Sequence, residues 1–414
     1  MPGISAKDVV VTGVGLVSSL GVGRDESWRS AVSGTSGAGL ITAFDASEYG
    51  SQIACEATGF DPHDFMDKKT TRRSDRACHM AVGAARLAVE DAGLAIVGKA
   101  RNIGAVIASG GGGHGVYEQH METMLERGAD RVSPLAVASV IINMPAGMVS
   151  MELGHQGPLS CPVTAFASSN HAIGEAAHMI TRGTADAMLA GGSEAGVAPF
   201  IVAALDATRA LSRRNDDPTA ASRPFDADRD GFVLGEGAAV LVLESREHAE
   251  KRGAQVLCTV AGYGASGDAY HLTEPEPDGV SQAAALRACL ARAGRDLSEV
   301  DYVNAHGTST PTGDPVEIKM LRSVFGDDAA KLPVSSTKSM HGHCMGSVGA
   351  IEASLTALAI AEGRLPPTIN LDNLDEECAG VDHVTEARTA SIGLALSNSF
   401  GFGGHNAVIA LAAA

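Results

Sequence analysis

The chain writes one pattern twice. The stretch "CPVTAFASSNHAIGEAAHMITRG" (161–183) has the same outline as "VSSTKSMHGHCMGSVGAIEASLTAL" (334–358): a short strand, a turn of small and hydroxyl residues, then a Gly/Ala-rich amphipathic helix. Likewise "NIGAVIASGGGGHG" (102–115) is echoed by "VDYVNAHGTSTPTG" (300–313), an apolar strand delivering a Gly/Ser/Thr loop. A pattern duplicated at this distance predicts two similar α/β units whose equivalent turns converge near a pseudo-twofold axis. Short apolar runs such as "VVVTGVGL", "NIGAVIAS", "ADAMLAGG" and "AAVLVLES" read as strands buried on both faces. Their alternation with helical patterns predicts βαβ crossovers and mainly parallel sheets. A chain of 414 residues is too long for an average single core, and we divide it into an N-terminal half, 1–255, and a C-terminal half, 256–414.

The net charge of −18 argues against a nucleic-acid partner, because a phosphate backbone needs a basic footprint. Two local basic patches stand out against this background. One is Lys68, Lys69, Arg72, Arg73 and Arg76; the other is Arg209, Arg213 and Arg214, next to a long polar loop, Ser212 to Gly231. The seven cysteines lack CxxC pairs and metal-ligand spacing, which suits reduced thiols. No signal-peptide pattern and no apolar run long enough to span a bilayer is visible, so a soluble cytoplasmic protein is expected.

Three clusters carry candidate chemistry. In "VNAHGTSTPTGD", His306 ends an apolar strand and precedes the hydroxyls of Thr308 and Thr310, which can hold a polar ligand or bond within the turn. In "STKSMHGHCMGSVGAIEA", Lys338 and Glu352 can form an ion pair while His343 faces a pocket. His341 and His343 lack a nearby third ligand, which argues against zinc. In "SNSFGFGGHN", Gly401, Gly403 and Gly404 permit close backbone approach and Phe400 and Phe402 supply bulk that can swing, the parts of a gate whose N–H points at an oxyanion. The glycine run at 109–115 lacks the phosphate-binding signatures.

The turn at 164–168 sits at a helix N-terminus, where positive potential would lower a thiol's pKa and make a thiolate nucleophile. A thiolate, two histidine donors and an oxyanion hole would together serve acyl transfer through a thioester. The residue in that seat is Phe166.

With these pieces in order, the chain resembles the elongating β-ketoacyl-acyl-carrier-protein synthases, types I and II, of the thiolase-fold condensing enzymes. The resemblance runs from "VVVTGVGLVSSLG" to "NSFGFGGHNAVIAL" and is most specific in "ALSRRNDDPTAASRPFDADRDGFVLGEGA", "YVNAHGTSTPTGD", "SSTKSMHGH" and "LPPTINLDN". It implies a five-layered α-β-α-β-α fold, a homodimer, and decarboxylative Claisen condensation of an acyl thioester with malonyl-carrier protein, with no cofactor beyond the phosphopantetheine that the carrier bears, and no metal. It further implies that His306 and His343 hydrogen-bond the malonyl thioester carbonyl, that Lys338 and Glu352 organise the site, and that the backbone N–H groups of residues 166 and 402 form the oxyanion hole. Phe400 and Phe402 would belong to the gate, and Thr273, Thr308 and Thr310 would contact the phosphopantetheine arm. Because the carrier is acidic, Lys68, Lys69, Arg72, Arg209, Arg213 and Arg214 become candidate docking residues.

Three positions depart from the family pattern. Phe166 replaces the nucleophilic cysteine, His341 replaces a threonine, and Gly111 replaces the bulkier apolar residue of type II acyl channels, which predicts a less obstructed channel. Cys161, Ser168 and Ser169 lie near Phe166 but inherit none of the required geometry, so this chain should form no acyl-enzyme. Two explanations fit: a working synthase whose cysteine has been replaced, or a non-condensing paralogue such as a chain-length factor, a carrier-binding subunit or a decarboxylase. Retention of His306, Lys338 and His343 favours the first.

Overall fold

The computed structural model describes residues 8–414. The N-terminal half contributes strands β1 (Val9–Ser18), β2 (Ile103–Ala108), β3 (Leu159–Ser160), β4 (Ala187–Glu194) and β5 (Gly237–Ser245). They lie in the order β1-β5-β4-β2-β3, antiparallel for the first two pairings and parallel for the last two. The C-terminal half repeats this with β6 (Cys258–Gly267), β7 (Tyr302–Asn304), β8 (Pro333–Ser335), β9 (Leu394–Gly401) and β10 (His405–Ala412). Their order is β6-β10-β9-β7-β8, with the same succession of directions. The duplication read from the sequence is thus a duplication of topology. The sheets are mixed rather than mainly parallel, because a run buried on both faces looks the same in sequence whichever way its neighbour points. Antiparallel pairing of β1 with β6, Val10 opposite Thr259, joins the halves.

Six helices complete the layers: α1 (Arg76–Asp91), α2 (Met144–Leu153), α3 (Ser168–Thr181), α4 (Val280–Ala293), α5 (Gly313–Phe325) and α6 (Val348–Glu362). Helices α1 and α2 cover the outer face of the first sheet, and α4 and α5 that of the second. Between the sheets run α3 and α6, so the order is α-β-α-β-α. Every residue of α6 from Val348 to Ala359 is buried, which explains why Met345–Glu362 is apolar enough to pass for a membrane span. It is wrapped by protein on all sides.

The two outer layers dock by the same device. A Cβ on Gly15 of β1 would lie 2.0 Å from the carbonyl oxygen of Ala84 in α1, and one on Gly264 of β6 would lie 2.0 Å from that of Ala285 in α4. Each glycine follows a bulge, Val11/Gly13 in one strand and Val260/Gly262 in the other. Only a missing side chain lets helix backbone rest directly on strand backbone here.

Candidate active site

The equivalent turns converge as the duplication predicts. The turn after β3 carries Phe166 to the N-terminus of the central helix α3, with Ala165 held at φ 51°, a left-handed conformation that a residue with a Cβ adopts only where surrounding contacts impose it. Those contacts are local: the Ser168 hydroxyl donates to the Ala165 carbonyl at 2.5 Å and accepts from the Thr164 N–H at 2.8 Å. The loop after β9 closes from above. A Cβ on Gly401 would lie 2.7 Å from the Thr164 carbonyl oxygen and 3.0 Å from the Phe166 nitrogen, so glycine is required for this approach.

Around this elbow lies a cleft of about 310 Å³. Phe166, Phe232, Phe400 and Phe402 line its inner end together with His306 and His343; Thr273, Thr308, Thr310 and Arg209 line the rest with others. Phe166 is only 7 % exposed. Its ring centroid lies 4.4 Å from that of His343 and 4.6 Å from that of Phe402.

The two histidines are held in one protonation state. The Met345 N–H donates to Nδ1 of His343 at 3.2 Å, which leaves the ring proton on Nε2, and Nε2 is buried with no protein partner. The His306 ring has a buried, unpartnered Nδ1 and packs edge-on to His343 at 5.5 Å between centroids. Burial first, and then the nearby Lys338 ammonium, push both imidazoles well below their usual pKa. Both shifts favour the neutral imidazole.

Lys338 and Glu352 form the expected ion pair, both fully buried just outside the cleft lining. Burial raises the Glu352 carboxyl to about 7, against the opposing pull of the lysine. His341 turns away from the cleft: its Nδ1 meets the Gly342 carbonyl at 2.8 Å and its Nε2 the Thr337 hydroxyl at 3.0 Å. It is a satisfied interior histidine that burial drives down to about 3. His341 and His343 therefore point to different partners.

Other expectations need correcting. Gly111 does not line the cleft, and the channel is not left open by its missing side chain, because the His114 ring occupies that space, with Nε2 only 1.6 Å from where a Cβ would stand. The glycine run instead wraps the buried carboxylate of Glu194, which accepts from Ser109, Gly110, Gly111 and Gly346. Of the docking candidates, Lys68, Lys69, Arg72, Arg209 and Arg213 are exposed and Arg214 is half-buried. Arg213 is committed to Asp206 by two bonds of 3.0 Å, and Arg214 donates to the Asp228 carbonyl at 3.1 Å.

The groups missed in the sequence are the carboxylates beneath the His306 loop. Glu317 of α5 accepts from the backbone N–H of His306 at 2.9 Å and of Gly307 at 2.7 Å, and from the Asn398 amide at 2.9 Å. Asp314 accepts from Thr308 and Ser309 N–H at 2.9 and 3.1 Å and from Phe225 at 2.8 Å. Arg229, from the long loop, lies 3.7 Å from Asp314 and 2.6 Å from Asp375. The available signal was spacing: Asp314 and Glu317 stand three apart in the first turns of the helix that follows the His306 loop, placed to accept its N–H groups. Gln282, Asp268 and Asn406 also line the cleft and were not anticipated.

Comparison with known proteins agrees with this architecture. Residues 6–249 match the model of the β-ketoacyl synthase N-terminal domain, and residues 257–372 that of its C-terminal domain. Curated relatives named 3-oxoacyl-[acyl-carrier-protein] synthase 2 are 45 % identical over 99 % of both chains in Synechocystis sp. and 47 % identical over 97 % of this chain and 98 % of the relative in Coxiella burnetii. Among solved structures, the ishigamide ketosynthase/chain length factor superposes with a TM-score of 0.93 at 34 % identity, over 99 % of this chain and 100 % of the other. A β-ketoacyl synthase from Burkholderia phymatum gives 0.92 at 35 %, with the same coverage. A duplicated thiolase-type fold and matches spanning nearly the whole chain have one meaning: this chain belongs to the β-ketoacyl synthase family of condensing enzymes.

Proposed function

We propose that the chain is a 3-oxoacyl-[acyl-carrier-protein] synthase scaffold that has lost acyl transfer and keeps malonyl decarboxylation. The observation that carries this reading is the Phe166 ring against His343 at 4.4 Å, at the end of a cleft where both neutral histidines retain unpartnered nitrogens. A benzyl group cannot form a thioester. The enolate side of the chemistry needs no thiol: the bond between the malonyl carboxylate and its α-carbon breaks, carbon dioxide leaves, and the electron pair moves toward the thioester oxygen. In this reading the His343 Nε2–H and the His306 ring hydrogen-bond that oxygen, and the bonds strengthen as the negative charge develops. With no acyl-enzyme to attack, the enolate takes a proton and becomes an acetyl thioester.

The substrate in this reading arrives on an acidic carrier protein, guided by the exposed Lys68, Lys69, Arg72 and Arg209. One solved relative is described as a type II polyketide acyl-carrier protein in complex with its ketosynthase, with a TM-score of 0.90 at 32 % identity. A second copy of the chain is proposed to pair at β3. That strand ends the sheet, and Leu159, Val163 and Met151 around it are 47 %, 46 % and 64 % exposed, an apolar edge that pairing would cover.

The experiment is to assay carbon dioxide release from malonyl-carrier protein by this chain, and condensation by Phe166→Cys, with sedimentation to define the assembly. Decarboxylation by the chain and condensation by the variant alone support the reading. Condensation only in a mixed assembly with another ketosynthase would assign a partner-subunit role instead, and absence of both activities would leave binding as the function.

A further inference from the structure

Besides the His306 ring, the cleft contains a buried polar side chain that makes no hydrogen bond within the protein. Gln282 lies in the first turn of α4, on a face otherwise made of Ala283, Ala285, Leu286, Cys289 and Leu290. A carboxamide on that apolar stripe is costly to bury unless it is paired. Gln282 is 3 % exposed and lines the cleft, yet its Oε1 receives no hydrogen bond.

The neighbouring polar groups are already engaged. The Asn406 amide donates to Asp268 at 2.5 Å and to Ser266 at 3.3 Å. The Thr308 and Thr310 hydroxyls bond each other at 2.9 Å, and Glu317 is taken by the His306 loop. A ligand that satisfies Gln282 must bring an N–H for Oε1, and an amide carbonyl alongside it would accept from Nε2. A hydrocarbon acyl chain offers neither. The phosphopantetheine arm contains two secondary amides, each with one donor and one acceptor in a plane, which is the complement of a carboxamide.

We therefore infer that Gln282 is a positioning residue that binds an amide of the pantetheine arm, fixing how deeply the thioester reaches toward His306 and His343. This inference rests on the carrier-borne substrate proposed above. It assigns the arm a contact inside the cleft that is independent of the threonines and of the residue at position 166.

Direct binding separates the two readings. An acyl carrier protein is titrated, in apo and phosphopantetheinylated forms, into the intact chain and into Gln282→Leu and Gln282→Glu, with thermal melts confirming that each variant is folded. The intact chain is expected to bind the phosphopantetheinylated form more tightly than the apo form. Gln282→Leu, similar in volume but unable to hydrogen-bond, should reduce that preference by about 3- to 10-fold and leave apo-carrier affinity unchanged. Gln282→Glu keeps an acceptor and should retain part of the preference. If the intact chain shows no preference, the carrier-borne reading fails and the inference falls with it. If the preference exists and Gln282→Leu keeps all of it, the inference alone is wrong.

Discussion

The Phe166 ring meets the His343 imidazole with 4.4 Å between centroids and 65° between planes. One buried aromatic side chain thereby forms part of the wall of the cleft. The contact also makes position 166 chemically isolated: Cys161 is pushed up to about 11 by burial, and the other six cysteines are buried. Phe166→Cys should therefore add one reactive thiol on a background of inert ones. Incubation with an acyl-carrier protein is expected to give a single acyl adduct by intact mass in the variant and none in the unsubstituted chain. An adduct on the unsubstituted chain would refute the assignment of the nucleophile position.

The Lys338–Glu352 pair makes a second test. Removing Lys338 leaves the buried Glu352 without its partner, so Lys338→Met should lose up to about 3–5 kcal/mol of stability where the carboxyl stays ionised, and less as pH falls and it takes up a proton. Removing both charges in Lys338→Met/Glu352→Gln should recover most of that loss in denaturant titrations. Equal losses in the single and double variants would mean that the pair's charge balance does not govern the stability of this region.

His341 gives the chain an acid-sensitive element that a threonine would lack. Its folded pKa of about 3 lies below the usual histidine value, so the unfolded chain binds the extra proton and stability falls as pH drops below about 6.5. By pH 5 the cost is about 2 kcal/mol. His341→Thr should shift the acid-unfolding midpoint downward, read by circular dichroism across pH 7 to 3. An unchanged midpoint would count against this account.

Docking residues should separate by what already holds them. Lys69 and Arg213 are both exposed, but Arg213 is bound to Asp206. Lys69→Glu should weaken carrier binding about 2- to 5-fold or more and flatten its dependence on salt, while Arg213→Gln should act less. Titrations at two ionic strengths decide this, and equal effects would reject the distinction.

The duplicated architecture, the elbow at Phe166, the two histidines of the cleft, the Lys338–Glu352 pair and the close approach of the glycine-rich loop could all be read from the residues alone. Each is legible because its chemistry lies in residue type and local placement: a strand end, a helix N-terminus, a run of glycines. Other features depended on neighbours far away in the chain. Strand direction did, because burial on both faces erases the pattern that would betray it. So did the fate of Gly111, whose missing side chain is replaced by the His114 ring. The same holds for Glu317, Asp314 and Gln282. A carboxylate or carboxamide becomes a support or a binding group through the N–H groups that packing brings to it or leaves it without, and nothing within a few residues of these positions states which.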